Sequence, residues 1–280
     1  MVKKAYDKNF DFFKIEALSG VSLLEAEMYD FSYKTHTHKE FAIAVTRRGI
    51  QSFKCNKSFY KVSKNGIITF NPQDVHNGYS ELESGLEYQM LYVSQETINK
   101  LAEEVCGNKF SYFDFANTVQ YDYELSSKLL SLFRAINEER NNCEIQSKFY
   151  DSISTLMLKY GLFSKKPISI KEDNSLIKRA CKYIDNNVNK AISLDDIARE
   201  VNLSPYYFSR LFKKTTGLSP HNYLNQRRVE MVKKKIKTNK DASLSEIAVT
   251  AGFSDQSHMN RRFKEIYGIT PGKYKTAITK

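Results

Sequence analysis

Three of the five histidines in the 280-residue chain lie in its first third, close to a carboxylate. His36, His38 and Glu40 occupy alternate positions, and His76 follows later in the sequence. Because side chains two residues apart in a β-strand lie on the same face, one strand could bring the first three together. Such a set can ligate a divalent transition metal, hold a polar small molecule by hydrogen bonds, or serve only as buried structural side chains. The residues alone leave these three interpretations open.

A second group of polar side chains lies near the C-terminus, on two stretches whose apolar residues recur at helical spacing. In DNA recognition, Arg donates two hydrogen bonds to guanine, Gln and Asn pair with adenine, and Lys, Ser and Tyr bind phosphates or base edges. We predict that the polar faces of both stretches contact DNA, although a single such face is more often a solvated surface. The faces carry Tyr206, Ser209, Arg210, Lys213, Gln256, Ser257, Asn260, Arg261 and Lys264.

The two polar faces belong to an internal repeat. The segment SLDDIAREVNLS, from Ser193, aligns with SLSEIAVTAGFS, from Ser243, and the copies end alike in GLSPHNY (217–223) and GITPGKY (268–274). Each copy begins with a serine three residues before an acid, which is the capping box of a helix start. A turn residue and a second capped apolar stripe follow, so each copy predicts a helix-turn-helix unit. The repetition of caps, turn and outward arginine favours DNA binding over a solvated surface.

The positive charge of the chain is confined to the part that contains this repeat. Residues 1–170 hold 21 Lys and Arg against 21 Asp and Glu, whereas residues 171–280 hold 22 against 11, so the second part carries the whole formal charge of +11. A basic module beside a neutral one indicates a polyanion as partner. No apolar run reaches the roughly 18 residues of a membrane span. Because the four cysteines are also spread singly, we expect a cytoplasmic protein without membrane contact.

These residues need two kinds of scaffold. Short β-rich runs separated by turns, from about residue 20 to 93, predict an antiparallel barrel or sandwich around the histidines, with Gln89 on its wall. Amphipathic stretches predict helices over about 94–105, 123–140 and 144–163 and, in the basic part, over 175–188 and 220–236. The charged stretch 164–174 predicts a linker. We therefore expect an α+β multidomain chain, with an N-terminal domain over 1–163 and an all-α domain over 175–280.

The segment from Ala251 to Tyr274, AGFSDQSHMNRRFKEIYGITPGKY, closely resembles the signature of the AraC/XylS family of bacterial transcription regulators. The resemblance extends over about 100 residues and implies two helix-turn-helix units joined by a connecting helix. The second helix of each unit would enter successive major grooves, about 34 Å apart. Lys235 and Arg262 stand where the family has less charged side chains, which puts local packing in question. By position the resemblance assigns base contacts to Tyr206, Ser209, Arg210, Gln256, Ser257, Asn260 and Arg261.

The first half of the chain resembles a cupin barrel, the sensor domain of many such regulators. This resemblance implies that His36, His38, Glu40 and His76 hold a small-molecule effector; Gln89 is added to that pocket from strand alternation alone. It also implies that the helices after the barrel form a homodimer and that the protein contacts RNA polymerase as an activator. In metal-binding cupins a similar set of side chains holds a divalent metal, so a metal site at the same four residues stays open as the alternative.

We therefore expect a bacterial, sequence-specific transcription regulator that binds double-stranded promoter DNA under effector control, with no cofactor and no catalytic activity. The sequence has no nucleophile–base pairing, phosphate-cradling glycine loop or CxxC motif that would indicate other chemistry. One alternative is a metal-binding cupin enzyme fused to a DNA-targeting module. Another is a DNA binder that responds to no effector.

Overall fold

The computed structural model describes residues 9–106, 112–164, 175–239 and 241–279. The chain divides into a β-rich N-terminal unit and a helical C-terminal unit, each with its own buried core, which confirms the expected α+β class. The predicted linker, 164–174, lies outside the described residues except for Ser164, which belongs to a strand. No helix in the described part of the chain is long and apolar enough to cross a bilayer.

The described strands are β1 (Asn9–Lys14), β2 (Val21–Met28), β3 (Ser32–His36), β4 (Phe41–Arg48), β5 (Gln51–Cys55), β6 (Ser58–Val62), β7 (Ile67–Phe70), β8 (His76–Ser80), β9 (Leu86–Val93), β10 (Tyr112–Phe115), β11 (Val119–Gln120) and β12 (Gly161–Ser164). The larger sheet has the order β1-β2-β9-β4-β7-β11, and the smaller has the order β3-β8-β5-β6. The strands β10 and β12 form a separate antiparallel pair.

The central strands of the larger sheet are buried on both faces. On β9 Leu91 and Val93, at odd-numbered positions, belong to the core that the helices complete. The even-numbered side chains lie on the other face, where Tyr92 contacts His38 with 5.5 Å between ring centroids. Phe70 of β7 contacts Phe53 of β5 at 5.4 Å, so the two sheets pack face to face. The described strands therefore form two sheets that pack face to face, in agreement with the antiparallel barrel or sandwich that the sequence predicted.

The outer face of the larger sheet is covered by α1 (Gln95–Cys106), α2 (Tyr123–Asn137) and α3 (Asn142–Tyr160). Their apolar stripes are buried as the spacing predicted. Both α2 and α3 end earlier than that spacing predicted. The chain leaves α2 through a turn in which Glu139 adopts a left-handed φ of 49°. It leaves α3 because residues 161–164 pair with β10 as a strand.

The C-terminal unit consists of α4 (Ser175–Asn186), α5 (Leu194–Glu200), α6 (Pro205–Thr216), α7 (Pro220–Thr238), α8 (Leu244–Thr250), α9 (Gln256–Tyr267) and α10 (Pro271–Thr279). The two predicted capping boxes are confirmed: the hydroxyls of Ser193 and Ser243 accept hydrogen bonds from the backbone N–H three residues later, at 3.1 and 3.2 Å. Gly217 and Gly268 end α6 and α9 in the left-handed region, with φ of 77° and 75°. The helix-turn-helix units are thus α5–α6 and α8–α9.

The helix α7 is the predicted connection between the two helix-turn-helix units. Two charged side chains depart from the family pattern, and neither is fully buried. Lys235 is half-buried, and Arg262 of α9 forms a 2.9 Å ion pair with Glu265. Packing is therefore preserved at both positions. The apolar positions predicted to lie inward are all buried, namely Leu224, Val229, Val232 and Ile236.

Candidate DNA-binding and effector sites

The helix α6 separates an apolar face from a polar one. Ser204 caps its N-terminus and Pro205 occupies the first helical position, where a missing N–H costs nothing. Phe208 and Phe212 are fully buried and contact each other at 5.3 Å between ring centroids. Of the predicted DNA-contacting residues on the opposite face, Tyr206, Arg210 and Lys213 are exposed and Ser209 is half-buried. The helix is anchored by its phenylalanines and leaves its polar face to solvent.

Two of these polar side chains contact each other. Arg210 Nη1 donates a hydrogen bond to Tyr206 Oη at 3.2 Å, and the guanidinium carbon lies 5.7 Å from the tyrosine ring centroid. The residues are one helical turn apart, so the contact fits the helix without distortion. It limits the rotamers of Arg210 before any partner binds and leaves its other N–H groups available to donate.

The helix α9 has the same plan with different side chains. The Asp255 carboxylate accepts a hydrogen bond from the His258 N–H at 2.7 Å, which lowers the pKa of Asp255 and caps the helix. The core face is buried through Met259, Phe263 and Ile266. On the polar face Ser257, Arg261 and Lys264 are exposed, and Gln256 and Asn260 are half-buried.

The Gln256 amide is held by the preceding helix. Ser245 of α8 donates its hydroxyl hydrogen to Gln256 Oε1 at 2.7 Å. Since the amide oxygen is engaged, the amide nitrogen is the group left to donate to a partner. On the next turn, Asn260 Oδ1 is buried and accepts no hydrogen bond in the structure. On the polar face of α9, the Gln256 amide is therefore positioned by a residue of α8. On the polar face of α6, Arg210 is positioned by Tyr206 of the same helix.

A set of contacts around Arg228 of α7 joins the two helix-turn-helix units within the C-terminal part of the chain. Arg228 donates from Nε to the Val188 carbonyl at 3.0 Å and from Nη2 to the Lys190 carbonyl at 2.8 Å, and burial lowers the pKa of this arginine. The turn between α8 and α9 packs against Arg228 and Val188 at Gly252, which has a φ of 86°. A Cβ at this glycine would lie 2.7 Å from the Val188 oxygen. Only glycine allows this approach.

The sheet residues bring together two of the predicted effector residues. The rings of His38 and His76 lie 4.9 Å apart between centroids, and both are buried. Phe70 stacks on His76 at 3.9 Å, and Tyr92 contacts His38 edge-on. Burial, then the nearby Tyr88 and Glu40, raises the pKa of Tyr92 far above its usual range. The site is a compact aromatic cluster between the two sheets.

The three histidines have the same local hydrogen bond. Each Nδ1 lies against a backbone carbonyl two residues away: His36 to Lys34 at 2.7 Å, His38 to Glu40 at 2.7 Å and His76 to Asp74 at 2.8 Å. A neutral imidazole facing a carbonyl must carry its hydrogen on that nitrogen. The other nitrogen, Nε2, is then an acceptor, which suits a ligand hydroxyl or N–H group.

The four residues of the metal alternative do not come together as a metal site. Within the described residues, all four included, no group of three or more His, Cys, Asp or Glu could hold a metal ion. The alternation that the sequence suggested also fails, because β3 ends at His36 and His38 lies beyond it. Glu40 is half-exposed, next to the start of β4.

Gln89 lies on the wrong face for the histidine cluster. It occupies an odd-numbered position of β9 and so faces the helices, opposite to Tyr92. There its Nε2 donates to Glu25 Oε1, and Asn137 of α2 donates to the same oxygen at 2.7 Å. The prediction that Gln89 lines the same pocket is wrong, because the sequence did not show which face of β9 packs on the second sheet.

Sequence reasoning overlooked Ser245 and Arg228, the side chains that position the polar faces. The spacing of α8 marks Ser245 as an exposed position in its first turn, but its contact with Gln256 depends on how α8 packs on α9. The signal for Arg228 was an arginine inside the connecting helix, beside the buried Val229.

Comparison with known proteins finds one family for each of the two parts of the chain. The sequence model of a helix-turn-helix domain family matches residues 197–277, and that of the AraC-like ligand binding domain matches residues 18–153. A Bacillus subtilis protein, the uncharacterized HTH-type transcriptional regulator YbfI, is 25% identical over 241 residues, which cover 84% of this chain and 86% of that protein. The Tn10 TetD protein of Escherichia coli is 35% identical over 101 residues, which cover 36% of this chain and 72% of that protein.

The fold of the whole chain also has a solved counterpart. The structure of ToxT from Vibrio cholerae with a bound unsaturated fatty acid aligns with a TM-score of 0.54 at 12% identity, over 98% of this chain and 97% of that one. At this identity the likeness concerns the fold. The family is shown by the two domain matches and by the similarity to TetD: the chain belongs to the AraC family of transcription regulators, with a ligand-binding domain before a DNA-binding domain.

Proposed function

We propose that this regulator reads an asymmetric DNA site with the polar faces of α6 and α9, and that a small molecule bound beside His38 and His76 controls it. The observation that carries the proposal is the pair of capped helices in one basic domain, each with a buried apolar face and an exposed arginine. Cytoplasmic promoter DNA is the partner that fits this surface.

The roles on DNA follow from side-chain chemistry. Arg210 and Arg261 donate to guanine edges, and each such contact contributes about 1–3 kcal/mol of discrimination. Lys213 and Lys264, one turn later, neutralise phosphates. The remaining predicted contacts, made by Tyr206, Ser209, Gln256, Ser257 and Asn260, differ between the helices, so the two halves of the site differ in sequence.

The effector is a molecule with hydroxyl or N–H donors and a flat apolar part. The histidine Nε2 atoms supply acceptors, and Phe70 and Tyr92 supply aromatic walls. Charge from Glu40 adds a preference for donors. The effector regulates DNA binding only if it prefers one arrangement of the protein, so its affinity must change when DNA is bound. The role is regulatory and involves no catalytic step.

Dimerisation is proposed through α3. Tyr150 and Leu158 are exposed on this helix, at 47% and 64% of their full accessibility, and Leu162 follows on β12 at 43%. We propose that these three side chains contribute to one contact surface, because contiguous exposed apolar patches mark protein–protein interfaces. A homodimer places two DNA-binding units near one promoter, and activation through RNA polymerase is what the family resemblance implies. Sedimentation of the protein at tens of micromolar tests the dimer, and a monomer with and without DNA contradicts it.

The central experiment selects a binding site from random DNA and measures affinity by fluorescence anisotropy at fixed salt. The double variant Arg210→Ala, Arg261→Ala should lose most of its preference for the selected site and keep its affinity for random DNA within a few-fold. A metabolite screen by thermal shift should find a ligand whose stabilisation is lost in His76→Ala. Equal loss on selected and random DNA contradicts the reading role, and a ligand unaffected by His76→Ala contradicts the site.

A further inference from the structure

A cleft lies in the N-terminal unit, where the β1–β2 edge of the larger sheet meets the end of α2 and the start of α3. Its volume is about 650 Å³, within the range of roughly 300–1,000 Å³ that small-molecule sites occupy. Phe13, Ile136 and Ile145 line it with apolar surface, and Glu25, Asn137 and Arg140 line it with polar groups.

The Glu25 carboxylate is held in place on one side only. Its Oε1 accepts hydrogen bonds from Gln89 Nε2 and, at 2.7 Å, from Asn137 Nδ2. Gln89 is 4% exposed and so cannot turn its amide to water. Among the described residues, no donor reaches Glu25 Oε2 and no cation pairs with the carboxylate. Two neutral amides thus orient a half-buried carboxylate whose second oxygen remains available.

The nearby cations do not neutralise this carboxylate. Arg140 pairs with Glu138 at 2.8 Å, and Lys14 is an exposed residue at the rim. A carboxylate that is partly withdrawn from water without an opposite charge is costly, because neutral donors replace only part of its hydration. A cationic ligand group at Oε2 would supply the missing charge.

We propose that this cleft binds a small organic cation, a primary or secondary ammonium on an apolar body. The ammonium donates to Glu25 Oε2, and the body packs against Phe13, Ile136 and Ile145. The site is independent of the histidine cluster, because Glu25 and Gln89 lie on the helix-facing side of the larger sheet and Tyr92 lies on the other side. A bound cation would bridge the sheet and the turn between α2 and α3.

The test uses the full chain and the probe 2-phenylethylammonium, with 3-phenylpropionate as an anion of similar size. Calorimetric titration should show saturable binding of the ammonium and none of the anion. Glu25→Gln keeps the shape and the amide contacts but removes the charge, and should weaken the ammonium at least tenfold. Glu16→Gln removes a rim carboxylate of the same cleft and should change affinity by less than about threefold, since exposed charges interact weakly.

Nitrogen-15 amide signals show whether the ammonium binds in this cleft. In nitrogen-15 spectra the side-chain amides of Gln89 and Asn137 should shift on addition of the ammonium, and well-dispersed backbone amide signals of Glu25→Gln report that its N-terminal unit still folds. Equal loss in both variants, equal binding of the anion, or no saturable binding below about 10 mM would each overturn the proposal.

Discussion

The two helix-turn-helix units share what folds them and differ in what they present. Both begin with a serine capping box and end at a left-handed glycine. Their outward contacts are unlike: in α6, Arg210 is held by Tyr206 on its own helix, whereas in α9, Gln256 is held by Ser245 of the preceding helix. The duplicated positions therefore specify the scaffold and one arginine on each polar face, and the side chains that diverge are the other residues proposed to contact DNA.

The turns inside the units differ as well. Asn202 and Gly252 both adopt a left-handed φ, of 55° and 86°, but only the second turn packs against the junction formed by Arg228 and Val188. The first turn is exposed and carries a side chain without collision. The second unit is thus the one whose position depends on a contact with the rest of the domain.

The largest expected effect is a loss of folding stability when the glycine of the second turn is replaced. Gly252→Ala should destabilise the protein by about 2–4 kcal/mol, because it adds a left-handed non-glycine residue and a Cβ too close to the Val188 carbonyl. Asn202→Ala, the matched change in the first turn, should cost about 1 kcal/mol because it has only the backbone cost. Urea denaturation followed by circular dichroism measures both. Equal losses would show that the junction does not distinguish the units.

The second prediction separates the two polar faces. Arg210→Ala and Arg261→Ala should each weaken binding to the selected site by about 1–3 kcal/mol. Each variant should relax base preference in a different part of the site, about one helical turn apart. Site selection repeated with each variant maps the affected positions. If both variants relax the same base pairs, the assignment of one groove to each helix is wrong.

A smaller effect tests how the polar faces are oriented. Ser245→Ala frees the Gln256 amide, and Tyr206→Phe removes the acceptor that holds Arg210. Each loses one hydrogen bond, so each should cost about 0.5–1.5 kcal/mol in specific binding and broaden one base preference. The dependence of affinity on salt should stay unchanged, because no phosphate contact is removed. A changed salt slope would mean that these side chains contact the DNA backbone instead.

The sequence predicted elements that depend on neighbours along the chain and missed those that depend on neighbours in space. The repeat, its caps and the buried stripe of α7 follow from local spacing, and all are confirmed. Gln89 was misplaced because alternation on β9 shows two faces without showing which one packs on the second sheet. The hydrogen bonds from Ser245 to Gln256 and from Arg228 to Val188 form only when separate helices pack together. No local sequence pattern therefore indicates either contact.

The smallest expected effect is a pH dependence that distinguishes the units. Burial first, and then nearby arginines, lowers the pKa of both His221 and His258, which lie around α7 and α9. Residues 175–216, which hold the first unit, contain no histidine. As pH falls below about 6.5, the unfolded chain takes up protons on these histidines before the folded chain does, so folding loses stability.

This loss should appear in the second unit alone. Between pH 7 and 5.5, hydrogen exchange should accelerate modestly in α8 and α9 and stay constant in α5 and α6. The capping carboxylates Asp196, Glu246 and Asp255 have lowered pKa values, because hydrogen bonds stabilise their charged forms, and so remain charged in this window. His258→Gln should reduce the acceleration. Equal acceleration in both units would assign the pH dependence to the scaffold that they share and not to the histidines of one.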